Sequence, residues 1–188
     1  IPASDLNTGV DIAVAAVQVV NGDGQVSNPL GFSIVAQTVG EADAAVAQPG
    51  ETTTVSTAPA TEGSAGVSVT VQNSGDEPVT VLAATYDTKP VGETAFRVGN
   101  GSFVDVQIAG ANENVSATVF FYYPSTVTGG QENRGKLRYF DGADWVPVLS
   151  SGGLPPAKDT ADNLDGTISG GRFTVTFDNT STPSITEL

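Results

Sequence analysis

Residues 65–87 read AGVSVTVQNSGDEPVTVLAATYD. Val67, Val69 and Val71 fall on one face of an extended chain, with Ser68, Thr70 and Gln72 on the other. That period-two pattern is the mark of a half-buried strand. Asn73 to Pro78 then gathers turn-forming residues, and VTVLAATYD returns as a second strand. Strand, polar turn and strand is the unit from which the rest of the chain can be read.

Downstream the unit recurs. AFRVG (95–99) and SFVDVQIAG (102–110) flank Asn100-Gly101, a strong hairpin signal. VSATVFFYYP (115–124) carries the densest apolar load. KLRYFDGADWVPVLS (136–150) reads as another hairpin with Asp141-Gly142 near its tip. GRFTVTFD (171–178) alternates Phe173, Val175 and Phe177 against Arg172, Thr174 and Thr176. Short strands punctuated by Gly, Asn and Asp predict an all-β fold, an antiparallel immunoglobulin-like β-sandwich over 65–188. The aromatic residues gather between Phe96 and Phe177, so the core is expected there. Burying each large apolar side chain is worth ~1.5–3 kcal/mol.

Upstream the pattern loosens. Residues 38–64 are rich in Thr, Ala, Glu and Gly and contain Pro49 and Pro59, which reads as a linker or an edge strand. VGEADAAVAQPG (39–50) allows at most a turn of helix before Pro49 and Gly50 end it. Residues 1–37 offer strands in DIAVAAVQVV (11–20) and LGFSIVAQ (30–37), and a sheet that small is marginal alone. The apolar face of Leu30, Phe32 and Ile34 is therefore an assembly candidate. It must pack on residues 65–188, on preceding sequence or on another chain.

Composition limits the chemistry. With 188 residues the chain suits one large all-β domain, or one domain and part of another. It has no Cys and no His, which removes disulfides, thiolate metal sites and the commonest general base. A net charge of -14 with only seven Lys and Arg repels phosphate backbones and anionic lipid, so neither nucleic acid nor membrane is an expected partner. The same charge favours solubility and gathers counter-ions, divalent ones included. No run is apolar for long enough to span a bilayer. Abundant Gly, Ser, Thr, Val and Ala with scarce Lys points to a secreted or cell-surface, bacterial protein. The start at Ile1, with neither Met nor a signal-peptide pattern, reads as removal of a leader or as a piece of something longer.

IPASDLNTGVDIAVAAVQVVNGDGQVSNPLGFSI (1–34) resembles the C-terminal half of an IPT/TIG domain, an immunoglobulin-like sandwich. Ile1–Leu6 stands where that family has an IPASDL-like segment, Val17–Asn21 where a strand ends in V-x-V-x-N, and Ser27–Ile34 where the last strand lies. The Asn21–Gly24 turn between them holds residues tolerant of positive φ. The family's opening strands have no counterpart here. The resemblance thus implies a partial second sandwich at the N-terminus, completed by upstream sequence or by a neighbouring chain. KLRYFDGADWVPV (136–148) resembles a recurring hairpin of the modules that accompany such domains in bacterial surface proteins. Kinship of this sort implies a spacer, adhesion or assembly role.

Several constellations invite chemistry, and each has a plainer reading. Asp159, Asp162, Asn163 and Asp165 could offer hard oxygens to calcium, the one cofactor candidate. However, the calcium-loop pattern asks for an acid at 161, where Ala161 sits, and the alternative is a polar turn. Asp141 and Asp144 could act as a carboxylate pair in glycoside cleavage, or simply shape a wet hairpin tip. Trp145 with Tyr139 could stack a glycan or partner, or Trp145 could plug the core. Strand alternation sends Tyr139 and Phe140 to opposite faces, so at most one shares a face with Trp145. It also splits Phe120, Phe121, Tyr122 and Tyr123, leaving an outward aromatic pair suited to a partner surface. Among the lysines Lys89, Lys136 and Lys158, Lys136 is the best placed for an intramolecular isopeptide bond. Asn114 and Asn179 head glycosylation sequons.

The sequence thus predicts a non-catalytic extracellular module of a stalk, filament or adhesin. Its partners would be copies of itself or other domains of the same chain. The alternative is a carbohydrate-binding module appended to a secreted protein or enzyme.

Overall fold

The structure, a computed structural model, describes residues 12–17, 30–35, 39–57, 66–86, 95–98, 102–123, 135–159 and 171–188. Every long element in them is a strand. In chain order these are β1 (Ile12–Val17), β2 (Leu30–Val35), β3 (Val39–Ala47), β4 (Thr52–Ser56), β5 (Gly66–Asn73), β6 (Val79–Tyr86) and β7 (Phe96–Val98). Then follow β8 (Ser102–Ala109), β9 (Val115–Tyr123), β10 (Leu137–Phe140), β11 (Trp145–Pro147), β12 (Ala157–Asp159) and β13 (Gly171–Phe177). Single 3-10 turns occur at Ser151–Gly153 and Ile185–Glu187.

Two antiparallel sheets carry the fold, one ordered β11-β10-β7-β8-β6-β3 and the other β12-β13-β9-β5-β4. The chain passes from one sheet to the other at β3–β4, β5–β6, β8–β9, β9–β10 and β11–β12, so the sheets are laced together as a sandwich. Alternation decides which residues enter the space between. In β5, Val67, Val69 and Val71 are buried while Ser68 and Thr70 are half-exposed, and the registers place them opposite Phe121, Val119 and Ala117 of β9. Phe173, Val175 and Phe177 of β13 continue the same inner face. From the other sheet come Val79, Val81 and Ala83, together with Val104, Val106 and Ile108. Phe96 of β7 is fully buried at the centre. Its ring lies 4.9 Å from Phe121 and 5.7 Å from Phe177 across the sandwich, and 6.4 Å from Tyr139 on its own sheet.

The region 38–64, left open between linker and edge strand, holds β3 and β4, the edge strands of the two sheets. The helical turn allowed in 39–50 does not form there, because pairing with β6 commits Val39 to Ala47 to a strand. Ala45 and Ala47 turn toward the core, opposite Val81 and Val79. In β4, Val55 is buried, and the next inward position, Thr57, is a buried threonine whose hydroxyl accepts the Val67 N–H at 3.0 Å. The sandwich therefore starts at Val39, upstream of the expected boundary at 65. The edges are tied together: the Ser56 N–H of β4 donates to Asp43 Oδ2 of β3 at 2.9 Å. Capping edge donors in this way blunts them as templates for further strands.

β1 and β2 pair antiparallel, with Leu30, Phe32 and Ile34 opposite Val17, Ala15 and Ala13. They form their own two-stranded sheet.

The turn of the opening stretch is built by Asn73. Its side chain is fully buried and satisfied on both ends: Nδ2 donates to Ala47 O (3.0 Å) and Glu77 O (2.8 Å), and Oδ1 accepts the Gly75 N–H (3.0 Å). One amide thus pins the end of β3 to the β5–β6 turn.

Two expectations follow. Phe96→Ala should lower stability by roughly 3–5 kcal/mol in urea unfolding, and Phe96→Leu by clearly less, because a cavity between the sheets cannot collapse without moving both. Asn73→Ala should cost about 1–3 kcal/mol in the same measurement, since it strands the buried carbonyl of Ala47 and frees the partly buried one of Glu77. Loss of less than about 0.5 kcal/mol, the usual range for a surface change, would contradict the pinning role.

Candidate functional site

The β10–β11 hairpin carries the residues that suggested a binding site. Its tip is shaped by Asp141, whose Oδ1 accepts the N–H groups of Ala143 (2.9 Å) and Asp144 (2.7 Å). Gly142 follows at φ 98°, a conformation glycine adopts without strain. The backbone N–H groups of Asp144 and Ala143 hold the Asp141 carboxyl below the usual carboxylate range. A general acid needs the opposite shift. Asp141 is thus a turn-forming carboxylate.

Phe140 and Trp145 stand opposite each other in the register and share the outer face of the six-stranded sheet. Their rings are 5.6 Å apart at 54°, and Trp145 reaches Phe103 at 6.0 Å and 40°. Trp145 is half-buried and does not plug the core. Tyr139 points the other way: it pairs with Phe96 and packs against the core. Burial pushes its phenol pKa up, with Glu187 and Asp141 adding to the rise. Trp145 and Tyr139 are therefore on opposite faces and cannot form one platform; Phe140 and Phe103 are the partners of Trp145. Arg138 Nη1 donates to Trp145 O at 2.9 Å and steadies this hairpin. On the same sheet face Leu82, Ala84, Tyr86 and Asp105 are buried, and Gln107 Nε2 donates to Asp105 Oδ2 at 2.9 Å.

The five-stranded sheet presents the other aromatic pair. Phe121 and Tyr123 face inward, and Phe120 and Tyr122 outward, with ring centroids 6.3 Å apart. The Arg172 guanidinium lies 4.6 Å above the Phe120 ring and pairs with Asp159 Oδ2 at 3.5 Å. Asp159, first of the expected calcium ligands, is thus engaged by a cation, while Asp162, Asn163 and Asp165 lie outside the described residues. Among the described residues no group of three or more acidic side chains is gathered to hold a metal. Gly171 is required beside this pair, because a Cβ there would collide with Asp159 O and the Tyr123 ring.

Lys136 is exposed, which removes the burial an isopeptide bond needs. Lys158 donates to Gly135 O at 3.0 Å and sits 5.1 Å over the Phe173 ring; Lys89 lies outside the described residues. Asn114 and Asn179 occupy exposed turns.

The densest polar network is one that sequence reading does not single out. Asp178 Oδ1 accepts from Thr180 N–H and Thr180 Oγ1, both at 2.7 Å, and Oδ2 accepts from Ser151 Oγ. Ser181 Oγ accepts the Asp178 N–H (3.0 Å), and Ile185 N–H reaches Asp178 O (2.9 Å). Burial pushes the Asp178 carboxyl up, but the hydrogen bonds from Ser151, Thr180 and Ser181 outweigh it and leave its pKa lowered. Ser151 is distant in sequence, so nothing local in the sequence points to its bond with Asp178.

Compared with protein-family models, curated proteins and solved structures, the chain matches none.

The Asp178 network has a pH signature. A carboxyl whose folded pKa is depressed contributes stability above its unfolded value, about 3.9, and loses that contribution as pH falls through the folded pKa. Between neutral pH and pH 5 the wild-type margin over Asp178→Asn should therefore be flat. Below about pH 4 it should shrink. Thermal unfolding across pH reads this directly, and a margin that grows in acid would contradict it.

Proposed function

We propose that this chain is a non-catalytic structural module of an extracellular, bacterial surface protein, a unit of a stalk, filament or adhesin. The observation that carries this reading is where the well-placed polar side chains are used. Asp43 caps an edge strand, Asn73 pins two turns, Asp141 shapes a hairpin tip, Asp159 neutralises Arg172, and Asp178 fastens the last turn to Ser151. Each is committed to holding the sandwich rather than presented to a substrate. A chain that lacks Cys and His and carries -14 depends on such hydrogen bonds and its core for rigidity, as a secreted spacer would. The pairing of β1 with β2 supports reading residues 1–37 as closing strands of an IPT/TIG-like unit beside an immunoglobulin-like sandwich.

A carbohydrate-binding role is the second reading, favoured by the partly exposed Trp145. Its ring packs against Phe103 and Phe140. The structural reading expects no saturable saccharide binding on a glycan array or by calorimetry. It expects Trp145→Ala to lower stability by roughly 1–3 kcal/mol through its two aromatic contacts. Saturable binding lost in a folded Trp145→Ala protein would establish the second reading instead.

A further inference from the structure

The registers fix which end of the sandwich each charged residue occupies. The turns 48–51, 74–78 and 110–114 lie at one end and are bonded to each other. Gly50 N–H donates to Asn73 O (2.8 Å), and Ser74 N–H donates to Asn114 O (3.0 Å). This end exposes Glu51, Asp76, Glu77 and Glu113, and among the described residues it holds no Lys or Arg. All five described cations, Arg97, Lys136, Arg138, Lys158 and Arg172, lie toward the other end, on β7, the start of β10, β12 and the start of β13. Glu41 is there too, and Asp159 is there but paired with Arg172.

One feature of the second end is costly by itself. Arg97 and Arg138 stand directly opposite each other on adjacent strands, on the outer face. Like charges in that relation repel. Arg97 is exposed, Arg138 is half-exposed and bonds a carbonyl, and neither makes an ion pair with a described residue. Asp105, on the same face, is fully buried and accepts from Gln107. A pair of guanidinium groups held side by side is a site for carboxylates, and charge complementarity selects an acidic partner.

We propose that the Arg97–Arg138 pair docks the acidic turn end of a second copy of this chain, through Asp76 and Glu77 with Glu51 and Glu113 around them. The contact is heterologous: one copy's turn end meets the next copy's arginine face. Repeated, it builds a head-to-tail ring or an open chain rather than an isologous dimer. The inference rests on the module reading above and supplies its assembly step. The net charge of -14 opposes association at long range. At about 0.1 M salt, where the screening length is about 10 Å, distant repulsion fades while contacting pairs persist.

The test is sedimentation of the full chain over a concentration series at about 0.1 M and about 1 M salt. The wild type should associate with rising concentration at the lower salt and dissociate at the higher. Arg97→Glu/Arg138→Glu and Asp76→Lys/Glu77→Lys should each weaken association by more than about tenfold. An equimolar mixture of the two variants should restore it, because each then meets opposite charge. If Arg138→Glu disturbs the Trp145 hairpin by circular dichroism, Arg97→Glu alone carries the comparison. A wild type that stays monomeric, variants that associate like the wild type, or a mixture that stays monomeric would each overturn the proposal. A monomer that also ignores saccharides leaves the module reading standing without this contact, so the two fail separately.

Discussion

The constraint on which the structure depends is the aromatic contact made by Phe96 across the sandwich. β7 is only three residues long, yet Phe96 touches Phe121 and Phe177 of the opposite sheet and Tyr139 of its own. A protein without cysteine has no disulfide to join its two sheets, and side-chain packing between them carries most of that task. A fully buried ring that bridges the gap does this more than any backbone bond can, because backbone bonds run within sheets and not between them. The edges then need only local fastening, and the Asp43, Asn73 and Asp178 hydrogen bonds supply it at three different places.

This arrangement explains how the polar residues are deployed. A sandwich core tolerates few buried polar groups, and those present must be satisfied. Asn73 and Thr57 are buried and bonded: Asn73 joins the end of β3 to the β5–β6 turn, and Thr57 extends the β4–β5 ladder with its hydroxyl. Among the described residues Asp141 and Asp178 stand at turns, where their oxygens accept backbone N–H groups. Carboxylates that carry the net charge thus also shape its turns. The five described cations lie toward one end of the sandwich.

Strongly alternating strands were legible from sequence. Val67, Val69 and Val71, and Phe173, Val175 and Phe177, declare both period and inward face, and the structure places them there. β3 was not legible. Its small alanines and two acids suit helix, loop or edge strand equally, and only its partner β6, reached through non-local pairing, decides among them. The side taken by Trp145 was not legible for a related reason. Alternation correctly separates Tyr139 from Phe140, but which of the two faces the core depends on Phe96 in another hairpin. The Asp178 network was invisible because Ser151 enters it from a separate segment.

The central claim is that both sheets, including the edge strands β3 and β4, open as one unit around Phe96. Native-state hydrogen exchange under increasing urea tests it most directly. The account expects the amides of β6 and of β9 to merge onto a single opening free energy equal to that of global unfolding, with those of β3 and β4 joining them. It would be contradicted if the two sheets exchanged through separate openings, each with its own free energy and urea dependence.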